Sequence, residues 1–118
     1  MLKIKKTDFE FADDRGTLVQ LIHEGYRQIN VITSKKGVFR GGHYHKENEE
    51  AFYIISGSLK VIVENQEFIF SAGDFFGIEP NDMHSFYFLE DTVLVSMYSS
   101  GVEKADGTKD IFSGGENA

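Results

Sequence analysis

Cysteine and tryptophan are absent from the 118-residue chain, and proline occurs once. Without cysteine there is neither a disulfide framework nor a thiolate metal site, and nothing points to an oxidising compartment. Any metal ion would have to be held by imidazole and carboxylate groups. No run approaches the roughly eighteen apolar residues of a membrane-spanning helix, and the basic start Met1-Leu2-Lys3-Ile4-Lys5-Lys6 has no apolar stretch behind it. The expectation is a soluble cytoplasmic protein with no membrane partner. Positive charge is scarce as well: 12 Lys and Arg against 19 Asp and Glu leave a formal net charge of −7. Such a balance argues against nucleic acid, whose backbone calls for a clustered basic surface. A small anion needs only two or three local cations, and Arg15, Arg40 and Lys46 lie beside the informative segments.

What is abundant points to strands. Eleven Phe and five Tyr, many β-branched residues and twelve glycines favour strands joined by tight turns over a helical bundle. Strict alternation recurs along the chain. Leu2 to Lys6 reads as an edge strand, Thr17 to Ile22 as a strand after the turn Asp13-Asp14-Arg15-Gly16, and Ile29, Val31 and Thr33 share one face of another. Phe52 to Ile55 and Ser58 to Glu64 flank Ser56-Gly57, which reads as a hairpin, and Asn65-Gln66 marks a second. Pro80-Asn81-Asp82 is a turn, followed by His84, Phe86 and Phe88 on one face and by a last strand from Thr92 to Tyr98. Nine or ten short strands without a helical period predict an all-β jelly-roll barrel over residues 1–100. Residues 101–118 are polar and glycine-rich and read as a partly ordered tail, with Ile111-Phe112 as one point of attachment.

The chemistry concentrates between Gly41 and Gly57. On a strand, residues i and i+2 face the same way about 6.6 Å apart, so His43 and His45 can chelate one ion. Glu50 follows after a gap long enough for the chain to turn back alongside. Two imidazoles and a carboxylate form a facial set used by iron, manganese, zinc and related ions. The competing use of the same histidines is proton transfer, since imidazole titrates near neutral pH and can remove a proton next to a ketone. A histidine bound to metal through its free nitrogen cannot also be that base, so His43 holds one role or the other. His23 stands alone beside a turn and reads as a solvated or packing residue.

Gly37, then His43-x-His45, Glu50 and Gly57, resembles the first motif of the cupins. Gly73-Asp74, Pro80, His84 and Phe86 resemble the second, which in that family supplies a third histidine, and the fifteen residues between Gly57 and Gly73 match the spacer of compact single-domain members. The resemblance implies a jelly-roll barrel and one divalent metal ion (zinc, iron, manganese or nickel) on His43, His45, Glu50 and His84. It selects Glu50 over Glu49, which would then face outward. Asp13-x-Arg15-Gly16, Gln28-x-Asn30 and Arg40-Gly41-Gly42-His43-Tyr44 are similar to the opening of the nucleotide-sugar cupins: dTDP-sugar 3,5-epimerases, 3,4-ketoisomerases and the metal-dependent cupin domain of capsular-polysaccharide enzymes. The 3,5-epimerases carry glutamine where this chain has His45.

That second resemblance implies a sugar epimerase or ketoisomerase acting by proton abstraction beside a keto group. Carried over, His43 would be the proton-abstracting base or a metal ligand, and Arg15 and Arg40 would contact the diphosphate of a nucleotide sugar or shape its pocket; beside them, His84 is a further catalytic candidate, Tyr53 or Tyr87 a candidate proton donor, and Lys46 a third cation for the substrate. A metal-dependent oxygenase and a non-catalytic binding cupin are the competing classes. Uncovered edge strands at Leu2 to Lys6 and Thr17 to Ile22 predict a homodimer.

Overall fold

The computed structural model describes residues 1–113. These residues form strands β1 (Leu2–Ile4), β2 (Phe9–Asp13), β3 (Gly16–Gln20), β4 (Gln28–Ser34), β5 (Phe39–Tyr44) and β6 (Glu50–Ser56). The series continues with β7 (Ser58–Val63), β8 (Gln66–Ser71), β9 (Phe75–Ile78), β10 (His84–Phe88), β11 (Thr92–Tyr98) and β12 (Phe112–Ser113). Two five-stranded antiparallel sheets face each other, ordered β1-β9-β6-β11-β4 and β12-β5-β10-β7-β8, and β2-β3 stands apart as a hairpin. This is the all-β jelly roll that the alternation and the cupin-like motifs imply. No helix among the described residues is long and apolar enough to cross a membrane.

The inward faces grade from apolar to ionisable along the barrel. Register places Ile54 opposite Leu94, Phe52 opposite Ser96 and Glu50 opposite Tyr98 in one sheet, and Phe86 opposite Arg40 and His84 opposite His43 in the other. At the apolar end Ile54, Leu59, Val61, Phe76, Phe88 and Leu94 are almost wholly excluded from water. Phe70 stacks on Phe76 with centroids 4.2 Å apart, and Phe52 meets Phe86 edge-on at 4.9 Å. Each such side chain contributes about 2 kcal/mol of burial. The packed end makes a rigid floor, and the other end is left to polar groups.

Ser56-Gly57 is not a hairpin. β6 pairs with β9 and β11, and β7 with β8 and β10, so the chain turns a corner from one sheet to the other. Gly57 makes the corner possible: its φ is +91°, and a Cβ there would sit 2.4 Å from the carbonyl oxygen of Asp91. A hairpin does join β7 to β8, through Glu64-Asn65, whose φ values of 48° and 67° fit a turn that needs two left-handed residues. Strand β2 has no counterpart in the sequence reading, and it pairs with β3 around Asp14-Arg15.

Residues 101–113 are tied to the barrel more firmly than a polar tail implies. Asp110 is 1% exposed, and Phe112 pairs with Tyr44 in β12, so the attachment at Ile111-Phe112 is one of several. Residues 114–118, the rest of the expected tail, lie outside the described residues.

Candidate active site

Strand β5 carries the first part of the site, and a bulge determines what it presents. Arg40 lies opposite Phe86 and His43 opposite His84, with the register shifting between His84 and Ser85. An unbroken strand would send positions 40 and 43 to opposite faces, because side chains alternate. Gly41 and Gly42, at φ of 116° and 71°, absorb one extra residue, so both Arg40 and His43 face inward. No other residue fits at Gly41, where a Cβ would lie 2.7 Å from the Cα of Ser85. The Ser85 hydroxyl accepts the Gly42 N–H at 3.0 Å and satisfies the bulged backbone.

Four ligand atoms, one each from His43, His45, Glu50 and His84, lie within 4.8 Å of one another. The two deeper histidines are aimed by backbone carbonyls. His45 Nδ1 donates to the Asp110 carbonyl at 2.5 Å, and His84 Nδ1 to the Asp82 carbonyl at 3.0 Å. A carbonyl only accepts, so each Nδ1 carries the proton and each Nε2 points at Glu50. Those Nε2 atoms lie 2.8 Å and 3.0 Å from Glu50 Oε1. They are within ion-pair range, yet neither the two nitrogens nor the oxygen is aligned as a hydrogen bond with any partner. Three electron-pair donors converging in a buried site, each left without a hydrogen bond, fit a cation.

Electrostatics follow from this geometry. Burial would raise the Glu50 carboxyl, but the contacts with His45 and His84 outweigh it and hold the group at about 2. Burial works against a charged His45 too, but the Glu50 carboxylate and the Asp110 carbonyl prevail and raise it. His43 goes the other way, pushed down to about 4 by burial and by its histidine neighbours. At neutral pH it is an uncharged imidazole with a lone pair to offer.

The cluster opens into a cavity of about 330 Å³. Its polar wall is Arg40, His43, Glu50, His84 and Tyr98, and Ile32, Phe52 and Phe86 form the apolar side. Arg40 stands at the mouth, its Nε donating to the Ser34 hydroxyl at 2.8 Å. Tyr98 packs edge-on against His45, and burial together with Glu50 raises its phenol to about 12, so it keeps its proton.

The other expected site residues lie elsewhere. Tyr53 faces out of the barrel because Glu50, Phe52 and Ile54 take the inward positions of β6; its ring packs on Phe75 under the hairpin. It does not line this cavity, whereas Tyr98 does. Arg15 sits at the tip of the β2-β3 hairpin, held by Asp13 at 2.6 Å. Lys46 lies over the Phe112 ring at 4.3 Å, away from the cavity. Of the three cations, Arg40 alone lines the site. Glu49 does face outward, accepting from Tyr26 and pairing with Lys5, and His23 is exposed beside Asp8.

A family model described as a cupin domain matches residues 30–99. Over 55 residues the chain is 36% identical to a UDP-2-acetamido-2,6-beta-L-arabino-hexul-4-ose reductase of Pseudomonas aeruginosa; the match takes in 46% of this chain but spans only 15% of the reductase. Its structure is similar to a 3,4-ketoisomerase from Helicobacter canadensis, at TM-score 0.76 and 23% identity over 90% of this chain and 87% of that one. It is also similar to a double mutant of the QdtA 3,4-ketoisomerase from Thermoanaerobacterium thermosaccharolyticum in complex with TDP. There the TM-score is 0.65 at 27% identity, over 85% of this chain and 79% of the other.

Proposed function

The chain belongs to the cupin domain family, and on that premise we propose that it is a sugar isomerase that epimerises or ketoisomerises a keto-sugar nucleotide at a cation-bearing site. One observation carries the reading: a cavity of about 330 Å³ brings together His43, Glu50, His84, the protonated Tyr98 and the cation Arg40. The TDP-bound QdtA structure, at 27% identity, supports a nucleotide-sugar ligand. The match to a reductase named for a hexul-4-ose nucleotide agrees with that ligand class.

His45, Glu50 and His84 would hold a divalent ion, since their donor atoms converge without hydrogen-bond partners. When bound, a divalent ion such as zinc, iron, manganese or nickel supplies Lewis acidity toward the keto oxygen, which acidifies the neighbouring C–H. Arg40, at the mouth, pairs with the diphosphate. His43 lines the cavity, is uncharged at neutral pH, and has no hydrogen bond fixing its ring among the described residues. It takes the proton from the carbon beside the ketone, and the electron pair moves onto the keto oxygen. The Tyr98 phenol returns a proton, either to the opposite face of the same carbon or, once the proton of the adjoining hydroxyl has passed to the former keto oxygen, to the former keto carbon. The approach of all four ligand atoms within 4.8 Å favours a second reading in which His43 is a fourth ligand. Metal content of His43→Gln separates the two, since a base can be removed without emptying the site.

The chain functions as a homodimer. Ile29 and Val31 on the outer face of edge strand β4, and Phe9, Phe11 and Leu18 on the projecting hairpin, are all about half exposed or more. A lone two-stranded hairpin is marginal in water, so a second copy is its natural cover.

Metal analysis of the purified protein, combined with thermal-shift screening against 4-keto nucleotide sugars, tests the reading. A stoichiometric divalent ion and stabilisation by one such sugar are expected. Oxygen consumption with ferrous iron and no proton exchange would replace it with an oxygenase.

A further inference from the structure

The segment that follows β11 makes contacts that reach past the barrel core to the loop between His45 and Glu50. Asp110, 1% exposed, accepts the backbone N–H of Lys46 at 2.8 Å through one oxygen. Its other oxygen accepts the N–H groups of Glu47 and Asn48 at 3.0 Å each and the Asn48 side-chain amide at 2.8 Å. The same residue's backbone carbonyl accepts His45 Nδ1–H. Asn48 completes the attachment: its oxygen accepts from the N–H groups of Ser100 and Gly101, and its amide donates to the Gly101 carbonyl, all at 2.9 Å. The strap between these anchors is a small closed loop, with Asp110 N–H donating to the Val102 carbonyl at 2.8 Å and Glu103 bridged to Lys109.

Residues 45–49 join the His43-x-His45 strand to Glu50. Left alone, such a loop would offer three consecutive unpaired N–H groups and would let His45 rotate. A single buried carboxylate with four N–H donors removes that freedom, because each group in the set costs free energy if left without its partner. The carbonyl of the same residue holds the imidazole proton on Nδ1, which turns Nε2 toward Glu50.

We propose that Asp110 is a positioning residue that sets the tautomer and aim of His45 and locks the loop to Glu50, so that both groups are preset before an ion or substrate arrives. Asp110 itself lies beyond the 30–99 match to the cupin domain. The assignment of His45 as a ligand belongs to the proposed function, and the positioning is measurable without any ion.

The primary readout is the long-range proton–nitrogen spectrum of the full-length, chelator-treated protein, at alkaline pH where the His45 ring is neutral. Wild type should show the Nδ1–H form. In Asp110→Asn one acceptor becomes a donor facing N–H groups, and the ring should pass to a mixture of tautomers. Zinc or manganese affinity should fall roughly 10- to 100-fold, the cost typical of losing a group that orients a ligand. A core variant of similar stability loss, Leu94→Ala, should leave the tautomer and the affinity as they are, which separates positioning from general destabilisation. If Asp110→Asn does not fold, Asn48→Ala, which loosens the same loop, should show the same mixing. An Nε2–H ring in wild type, or an unchanged tautomer in the folded Asp110→Asn protein, would overturn the proposal. Failure of wild type to bind any divalent ion, with the tautomer result intact, would remove the metal reading and leave the positioning role standing.

Discussion

Glu50→Gln changes one charge and almost no volume at the centre of the cluster, so its consequence can be worked out in advance for the chelator-treated protein. The carboxyl drops from its ordinary 4.5 to about 2 in the fold. At about 1.4 kcal/mol per pH unit, that preference for the ionised form is worth about 3 kcal/mol. A depressed carboxyl contributes stability above its unfolded value of 4.5 and loses it as pH falls toward 2. Near pH 6 the variant should therefore unfold with about 3 kcal/mol less free energy than wild type, a midpoint drop on the order of 10 °C for a domain of this size. The two curves should converge as pH falls from 4.5 toward 2. On the alkaline side the sign reverses. His45 is raised chiefly by the same carboxylate against burial, so wild type is fully stabilised below about 6.5 and loses that share as pH rises through the raised value, a loss the variant, left with only the Asp110 contribution against burial, should show to a smaller degree. Urea unfolding in EDTA between pH 3 and 9 measures both limbs. Equal stability of the two proteins at pH 6, or parallel curves throughout, would refute the electrostatic account of the cluster.

Arg40→Ala should weaken nucleotide-sugar binding roughly 10- to 100-fold, in keeping with about 1.5–3 kcal/mol for a charged hydrogen bond; unchanged calorimetric affinity with lowered stability would make Arg40 a structural partner of Ser34. Tyr98→Phe keeps the ring against His45 and should lower kcat about 10²- to 10⁴-fold with little change in KM, a split that steady-state kinetics reads directly, whereas Tyr53→Phe should be silent. Gly57→Ala forces a Cβ to within 2.4 Å of the Asp91 carbonyl oxygen and should destabilise by more than about 2 kcal/mol in urea titration. Val31→Asp should shift the mass seen by light scattering from dimer to monomer, and a wild-type monomer at micromolar concentration would remove the dimer.

Local periodicity carries much of the site. His43 and His45 share a face by alternation, and the spacing of Glu50 and His84 matches a motif whose physical basis is one inward position per strand. Alternation from Glu50 also places Tyr53 outward, between the inward Phe52 and Ile54. Arg40 was readable as a cation near the site but not as an inward one, because its parity relative to His43 breaks at Gly41-Gly42, where a bulge depends on the partner strand β10. Tyr98 becomes visible only once β11 is in register with β6, opposite Glu50. Asp110 leaves no local trace, since the partners of its carboxylate and carbonyl are 62 to 65 residues away and its neighbourhood is polar. The corner at Gly57 and a hairpin share the same pattern of strand, glycine, strand, and only the close approach of Asp91 tells them apart.

In the proposed reaction, a cation held partly by His45 is required for proton removal beside a sugar ketone. Solvent-deuterium incorporation into a 4-keto nucleotide sugar, measured for wild type and His45→Gln with the metal content of each sample determined, tests it most directly. Wild type loaded with its ion should exchange, and His45→Gln should lose the ion and the exchange together. Full exchange by a metal-free His45→Gln protein would contradict the account and leave His43 working as a base without a cation.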